Sequence, residues 1–255
     1  MEHVQQTPAG AAFPEVRTID AGRPVQWMRA GVADLMRAPG ASLVYGAAIA
    51  AVGVLVLTLS WNAAHIVPAL VGGFLLVAPF FAIGLYDLSR QAERGGAIDG
   101  GASFSAWRRN TGQIALFGVV LMLTLIAWER LSAIVFALFY GGEIASVETL
   151  LRDVLAGKYW PLLVAYFGIG AVVALVVFSI GVVTAPMLLD RDVDVVSAIV
   201  TSVRCCQRNP GAMLLWAVII AVLTAIGFAT YAIGLLVVFP IIGHATWHAY
   251  RDLVA

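Results

Sequence analysis

"RAPGASLVYG", residues 37–46, is nearly rewritten as "RNPGAMLLWA", residues 208–217. In both, an arginine stands two places before Pro-Gly-Ala and a long apolar segment follows. Proline and glycine break a helix and let the chain change direction. Each junction therefore reads as a place where one helix ends and another begins.

What precedes the junctions is also alike. "VQWMRAGVADLMRAPG" sets Met28, Val32, Leu35 and Met36 on one helical face. "VDVVSAIVTSVRCCQRNPG" does the same with Val195, Val196, Ile199, Val200, Val203 and Cys206. Arg29, Asp34 and Arg37, and then Thr201, Arg204 and Arg208, fall mainly off those faces. The pattern predicts amphipathic helices lying in a membrane surface, each followed by a turn into the bilayer.

Composition requires such a solvent. The chain is 61% hydrophobic and 12% charged, with a mean hydropathy of +0.93. Soluble domains carry roughly 45–50% apolar and about 25% charged residues, so this chain cannot cover itself with polar surface in water. A crossing helix needs about 20 apolar residues. The expected spans are Ala41–Ser60, Ile66–Leu85, Ile114–Tyr140, Leu162–Leu189, Ala212–Gly227 and Ile233–Ala249. "WNAAH" would join the first two and a tight turn near Tyr231 the last two.

Charge supports an even count. Twelve of the fifteen Lys and Arg fall in the N-terminal region, the loops after spans two and four, and the C-terminus. Arg130, Arg152 and Lys158 fall on the other side. By the positive-inside rule both termini are cytoplasmic. Residues 1–24, polar and with three prolines, read as a disordered cytoplasmic tail, and residues 25–255 as one membrane domain.

A weaker third copy of the junction, "WRRNTGQIALFG", begins at Trp107. Prolines recur near the ends of the even spans, at Pro79, Pro186 and Pro240. The expected fold is all-α: a polytopic membrane protein of about six transmembrane helices. They form three helical-hairpin units (25–95, 100–194, 195–255), each preceded by a cytoplasmic interfacial amphipathic helix and related as parallel repeats.

The polar residues offer few candidates for chemistry. Counting on from each proline brings Asp87, Arg90, Asp190, Arg191, Asp192, Asp194, His248, Arg251 and Asp252 to one level, a candidate ring at the cytoplasmic end. Glu129 and Arg130 interrupt the third run. At 1.5 Å per residue Glu129 lies about 22 Å beyond Ile114, which is near the outer interface. The segment after it either prolongs a tilted helix or lies re-entrant. "VETLLRDVLAGKYW", residues 147–160, reads as an outer amphipathic helix. "HATWH" places His244 and His248 one turn apart and reads as an interfacial pair. Cys205 and Cys206 lack metal-ligand spacing and read as small apolar residues. No phosphate loop, dinucleotide fingerprint or catalytic triad pattern occurs, and no basic stripe points to nucleic acid. The expectation is a non-enzyme without cofactor or metal.

Taken together, "SLVYG", "AIGLYDLSR", "APMLLDRDVD" and "GLLVVFPIIGHATWHAYRDLV" resemble a bacterial integral membrane family, domain of unknown function 2189. The resemblance runs from about Pro24 to Val254 and implies the fold, but no established activity. Some members carry the label of cytochrome c oxidase subunit I. A catalytic oxidase subunit needs several intramembrane histidines for haem and copper, and here only His244 and His248 are placed to serve. The resemblance therefore implies at most an accessory link to respiratory complexes. The leading functional expectation is an accessory or scaffold protein for other membrane proteins, in contact with membrane lipids. A transporter or lipid-handling protein comes second. A haem or metal redox subunit, which rests on the histidine pair alone, comes third.

Overall fold

A computed structural model describes residues 13–61, 67–139, 152–153 and 156–255. Residues 1–12, most of the "WNAAH" loop with His65, the start of the second span, Tyr140 and half of the outer amphipathic segment lie outside the described residues. Among the described residues the fold is all-α and contains no sheet.

The helices are α1 (Arg23–Arg37), α2 (Pro39–Trp61), α3 (Val67–Glu93), α4 (Thr111–Phe139), α5 (Trp160–Gly181), α6 (Thr184–Asp190), α7 (Val195–Arg208), α8 (Pro210–Ala229) and α9 (Leu235–Leu253). A one-turn helix at Gly100–Ser103 and a 3-10 helix at Ala106–Asn110 precede α4. Among the described residues, five stretches are long and apolar enough to cross a membrane: Pro39–Leu59, Gly72–Glu93, Ala106–Phe139, Trp160–Asp190 and Pro210–Ala229.

The two matching junctions adopt one backbone conformation. Ala38 has φ −133° and ψ 58°, and Asn209 has φ −128° and ψ 53°. In each the residue's N–H returns to the carbonyl four back, Asp34 or Cys205. Its own carbonyl then receives the N–H of Ser42 or Met213 in the next helix. Proline occupies the first turn of that helix, where its missing N–H costs nothing. At the third copy Thr111 opens α4 directly from the 3-10 helix.

The sixth expected span, α9, is less apolar than the other five and packs inside the protein against α1, α2, α3 and α8. The fourth run is broken: α5 ends at Gly181 and α6 starts at Thr184. Ser202 of α7 fills the break, accepting from Val183 N–H at 3.2 Å and donating to the Ser179 carbonyl at 2.7 Å. The third run, by contrast, is one continuous helix through Phe139.

The expected tail is corrected over residues 13–24. Val16 bridges Val254, Arg17 N–H bonds the Leu253 carbonyl, and Ala255 N–H bonds the Glu15 carbonyl. Asn209 accepts from Ile19 N–H at 2.8 Å and donates to the Arg17 carbonyl at 2.9 Å. The segment is a strap whose backbone groups are paired.

The surface helices pack against the protein with a face only partly shared with the apolar stripe. On α1 the buried residues are Pro24, Trp27, Gly31, Asp34 and Leu35, while Val32 and Met36 are exposed. On α7 they are Val195, Ala198, Thr201, Ser202 and Cys205, while Val196 is exposed. Small and polar residues meet the protein, and part of the aliphatic stripe turns outward, where lipid can cover it. The tight turn near Tyr231 is present, with Tyr231 and Ala232 both at positive φ.

Candidate functional site

The site forms because α1, α2 and α3 approach α9 closely. A Cβ on Gly46 of α2 would lie 2.0 Å from the Leu236 carbonyl oxygen, and one on Gly31 of α1 would lie 2.6 Å from that of Ile241. Gly243 of α9 fits against Leu85 of α3 in the same way. Small residues at these crossings let the backbones meet, and that contact removes the polar side chains of α9 from lipid.

Asp34 sits at the centre of the buried network and is 3% exposed. Ser89 Oγ of α3 donates to Asp34 Oδ2 at 2.7 Å, and His248 Nε2 of α9 lies 2.7 Å from the same oxygen. Arg37 Nη1 donates to Asp34 Oδ1 at 2.9 Å. His244, fully buried, lies between two hydroxyls: Nδ1 is 2.8 Å from Ser89 Oγ and Nε2 is 2.9 Å from Ser42 Oγ.

These contacts fix the protons. An ionised carboxylate only accepts, so the Ser89 hydroxyl proton points to Asp34. Ser89 Oγ must then accept from His244 Nδ1–H, and Nε2 of the neutral ring accepts from Ser42 O–H. Burial pushes the Asp34 carboxyl upward, but the hydrogen bonds from His248 and Ser89 overcome it and hold the group below the ordinary carboxylate range. Four helices thus supply one chain of donors ending on one carboxylate. His248 also borders a cleft of about 340 Å3 between α1 and the end of α9, where Arg23 and Arg251 face Asp252. Arg23 and Trp27 both donate to Asp252.

A second cluster lies beside the first and contains part of the expected ring. Arg90 stands 3.4 Å from Asp87 and 3.9 Å from Asp190, while Arg109 reaches Asp87 at 3.5 Å. Arg251 pairs with Glu93 at 3.2 Å and with Asp190 at 3.6 Å. Tyr250 donates to Asp190 at 2.9 Å and accepts from Arg191 Nε at 2.8 Å. Asp87, Arg90, Asp190, Arg191 and Arg251 are therefore brought together.

The other expected members are placed elsewhere. Asp194 caps α7, accepting from Ser197, and Asp192 is exposed. His248 joins Asp34, and Asp252 joins Arg23. Glu129 and Arg130 pair with each other at 3.3 Å on an exposed part of α4. Cys205 and Cys206 are free thiols. Burial, with Cys206 adjacent, pushes the Cys205 thiol up to about 12, so it stays protonated.

Sequence reasoning missed Asp34, Ser42, Ser89, Glu93, Arg109 and Tyr250. For Asp34 a signal existed: Trp27, Gly31 and Asp34 recur at helical spacing, a face marked by a large aromatic and a glycine rather than by aliphatic residues.

No curated protein and no solved structure matches the chain. Residues 66–190 match the family described as "Predicted integral membrane protein (DUF2189)". Asp87, Ser89, Arg90 and Asp190 fall inside that match, and Asp34, His244 and His248 outside it. That stretch of 125 residues is thus similar to the DUF2189 family of predicted integral membrane proteins, and the match attaches no activity.

Proposed function

We propose that the protein is a non-enzymatic accessory or scaffold protein for other membrane proteins. In this reading it crosses the bacterial inner membrane six times, with α9 as the last crossing and both termini cytoplasmic. The pairing of residues 15–17 with residues 253–255 supports an even count, since it holds the two ends of the described chain together.

One observation carries the scaffold reading. At 1.5 Å per residue the 29 residues of α4 extend about 43 Å, and the 20 residues of α8 about 30 Å. The hydrocarbon core is about 30 Å thick, so α4 overshoots unless it tilts. Its last third lies beyond the Glu129–Arg130 pair. There Val135 and Leu162 are buried against each other's helices, with Trp128, Phe136 and Tyr166 packed edge to face. The flanks are apolar and open: Ile134, Leu138, Phe139, Trp160, Val164 and Phe167 are all exposed. An apolar surface at that height suits a protein partner better than water.

Photo-crosslinking residues at Leu138 and Val164, followed by isolation in mild detergent, test this reading. Discrete adducts with another membrane protein are expected. Adducts with lipid alone, from both positions, would refute it.

A further inference from the structure

A second cavity, of about 200 Å3, opens beside α2 and α3, away from the Asp34 network. Five aromatic side chains line it: Tyr45, Phe80, Phe81, Phe104 and Trp107. Gly84 makes room for the Tyr45 ring, since a Cβ there would fall 2.0 Å from the phenol oxygen. Tyr45 stacks on Phe104 at 5.1 Å.

The level of this cavity follows from the chain. Tyr45 lies six residues after Pro39, about 9 Å along α2. Trp107 belongs to the 3-10 helix just before α4. Phe104 and Trp107 are 52% and 45% exposed, as aromatic residues at a membrane interface are. Arg108 and Arg109 follow immediately; the Arg108 guanidinium lies 5.5 Å from the Trp107 ring centroid.

The hydroxyl protons inside are already committed. Ser103 Oγ donates to the Gly100 carbonyl at 2.6 Å and so accepts from Tyr45 O–H at 2.8 Å. What the cavity still offers is aromatic faces and oxygen lone pairs, which attract a cation and repel an anion. Beside Trp107 the Arg108 guanidinium offers the opposite preference, attracting an anion.

We propose that this cavity binds the headgroup of a zwitterionic phospholipid, with the ammonium among the aromatic rings and the phosphate on Arg108 at the rim. One molecule carries both charges and arrives from the bilayer. Anionic lipids would satisfy the rim alone. Free amines would satisfy the rings alone.

The test is native mass spectrometry of the full chain after equilibration in nanodiscs holding equal amounts of phosphatidylethanolamine and phosphatidylglycerol. The wild type should retain phosphatidylethanolamine in preference, and Trp107→Leu should lower that preference by about tenfold, the scale of one lost cation–π contact. Trp107→Phe should keep most of it. Arg108→Gln should lower retention of both lipids. Free phosphoethanolamine at millimolar concentration should not displace the lipid. Equal retention of the two lipids by the wild type would overturn the proposal, as would an unchanged preference in Trp107→Leu. Displacement by this free headgroup would overturn the lipid assignment. Phe104→Leu, a second exposed position, repeats the test should Trp107→Leu fail to insert.

Discussion

Removing one hydroxyl should measure what the buried network is worth. Ser89 is fully buried and holds two partners, donating to Asp34 at 2.7 Å and accepting from His244 at 2.8 Å. Ser89→Ala loses a hydrogen bond to an ionised group, about 1.5–3 kcal/mol, and strands a buried imidazole N–H, which costs about 1–3 kcal/mol. A loss of about 3 kcal/mol is expected. The decisive quantity is the coupling between Ser89→Ala and Asp34→Asn in a double-mutant cycle. Interhelical hydrogen bonds in membranes couple by about 0.6 kcal/mol on average, because the unfolded state in lipid also finds partners. A bond to a buried carboxylate should couple by more than about 1.5 kcal/mol. Reversible unfolding in mixed micelles, followed by tryptophan fluorescence, reads both; Trp27, Trp216 and Trp247 are all buried and report on the packed state. A coupling at or below the 0.6 kcal/mol average would refute the assignment of Asp34 as the ionised centre of the site.

Three further outcomes are expected. The Asp34 carboxyl is held below its ordinary range when folded, so the unfolded chain binds its proton more readily. The stability Asp34 supplies is therefore full above about pH 4 and is lost as pH falls through the lowered native value. Comparing unfolding of the wild type and Asp34→Asn from neutral pH downward checks this, and an unchanged pH profile in the variant would count against it. Gly46→Leu should cost more than about 3 kcal/mol or abolish assembly, because the carbonyl of Leu236 occupies the space its Cβ needs; thermal unfolding in detergent is the measurement. Cysteines at Glu93 and Arg251 should crosslink with short reagents, since those side chains pair at 3.2 Å, whereas cysteines at Asp194 and Arg251 should not.

The architecture was largely legible because it rests on long-wavelength signals. Apolar runs, the repeated Arg-x-Pro-Gly junction and the in-helix prolines each leave a mark that one-dimensional reading detects. The α9 helix was legible as a helix, but its company was not. Its histidines looked interfacial because their nearest polar partners, Ser42, Ser89 and Asp34, lie more than a hundred and fifty positions away in sequence. Asp34 itself was read by its charge as an outward residue, although it shares a face with Trp27 and Gly31. Asp194 failed the ring for a local reason. Capping the start of α7 satisfies two donors of Ser197 at once, and no distant arginine competes with that. The strap at residues 13–22 was missed because pairing with the last residues of the chain gives no periodicity to detect.

The docking of α9 also sets a timetable. The helix that carries Asp34 is made early, and the helix that carries His244 and His248 is made after all the other described helices. Until α9 enters, Gly31 and Gly46 lack the backbone they pack against, and the Asp34 carboxylate has Arg37 and Ser89 beside it but not His248. The nascent chain must therefore hold an incomplete interior through most of its synthesis. A ribosome that stops before Leu235 releases a product with all five strongly apolar stretches of the described residues, in which the surface helix α1 lacks its main partner. Quality-control proteases that read loose amphipathic helices could sort such products from finished ones without inspecting the spans at all.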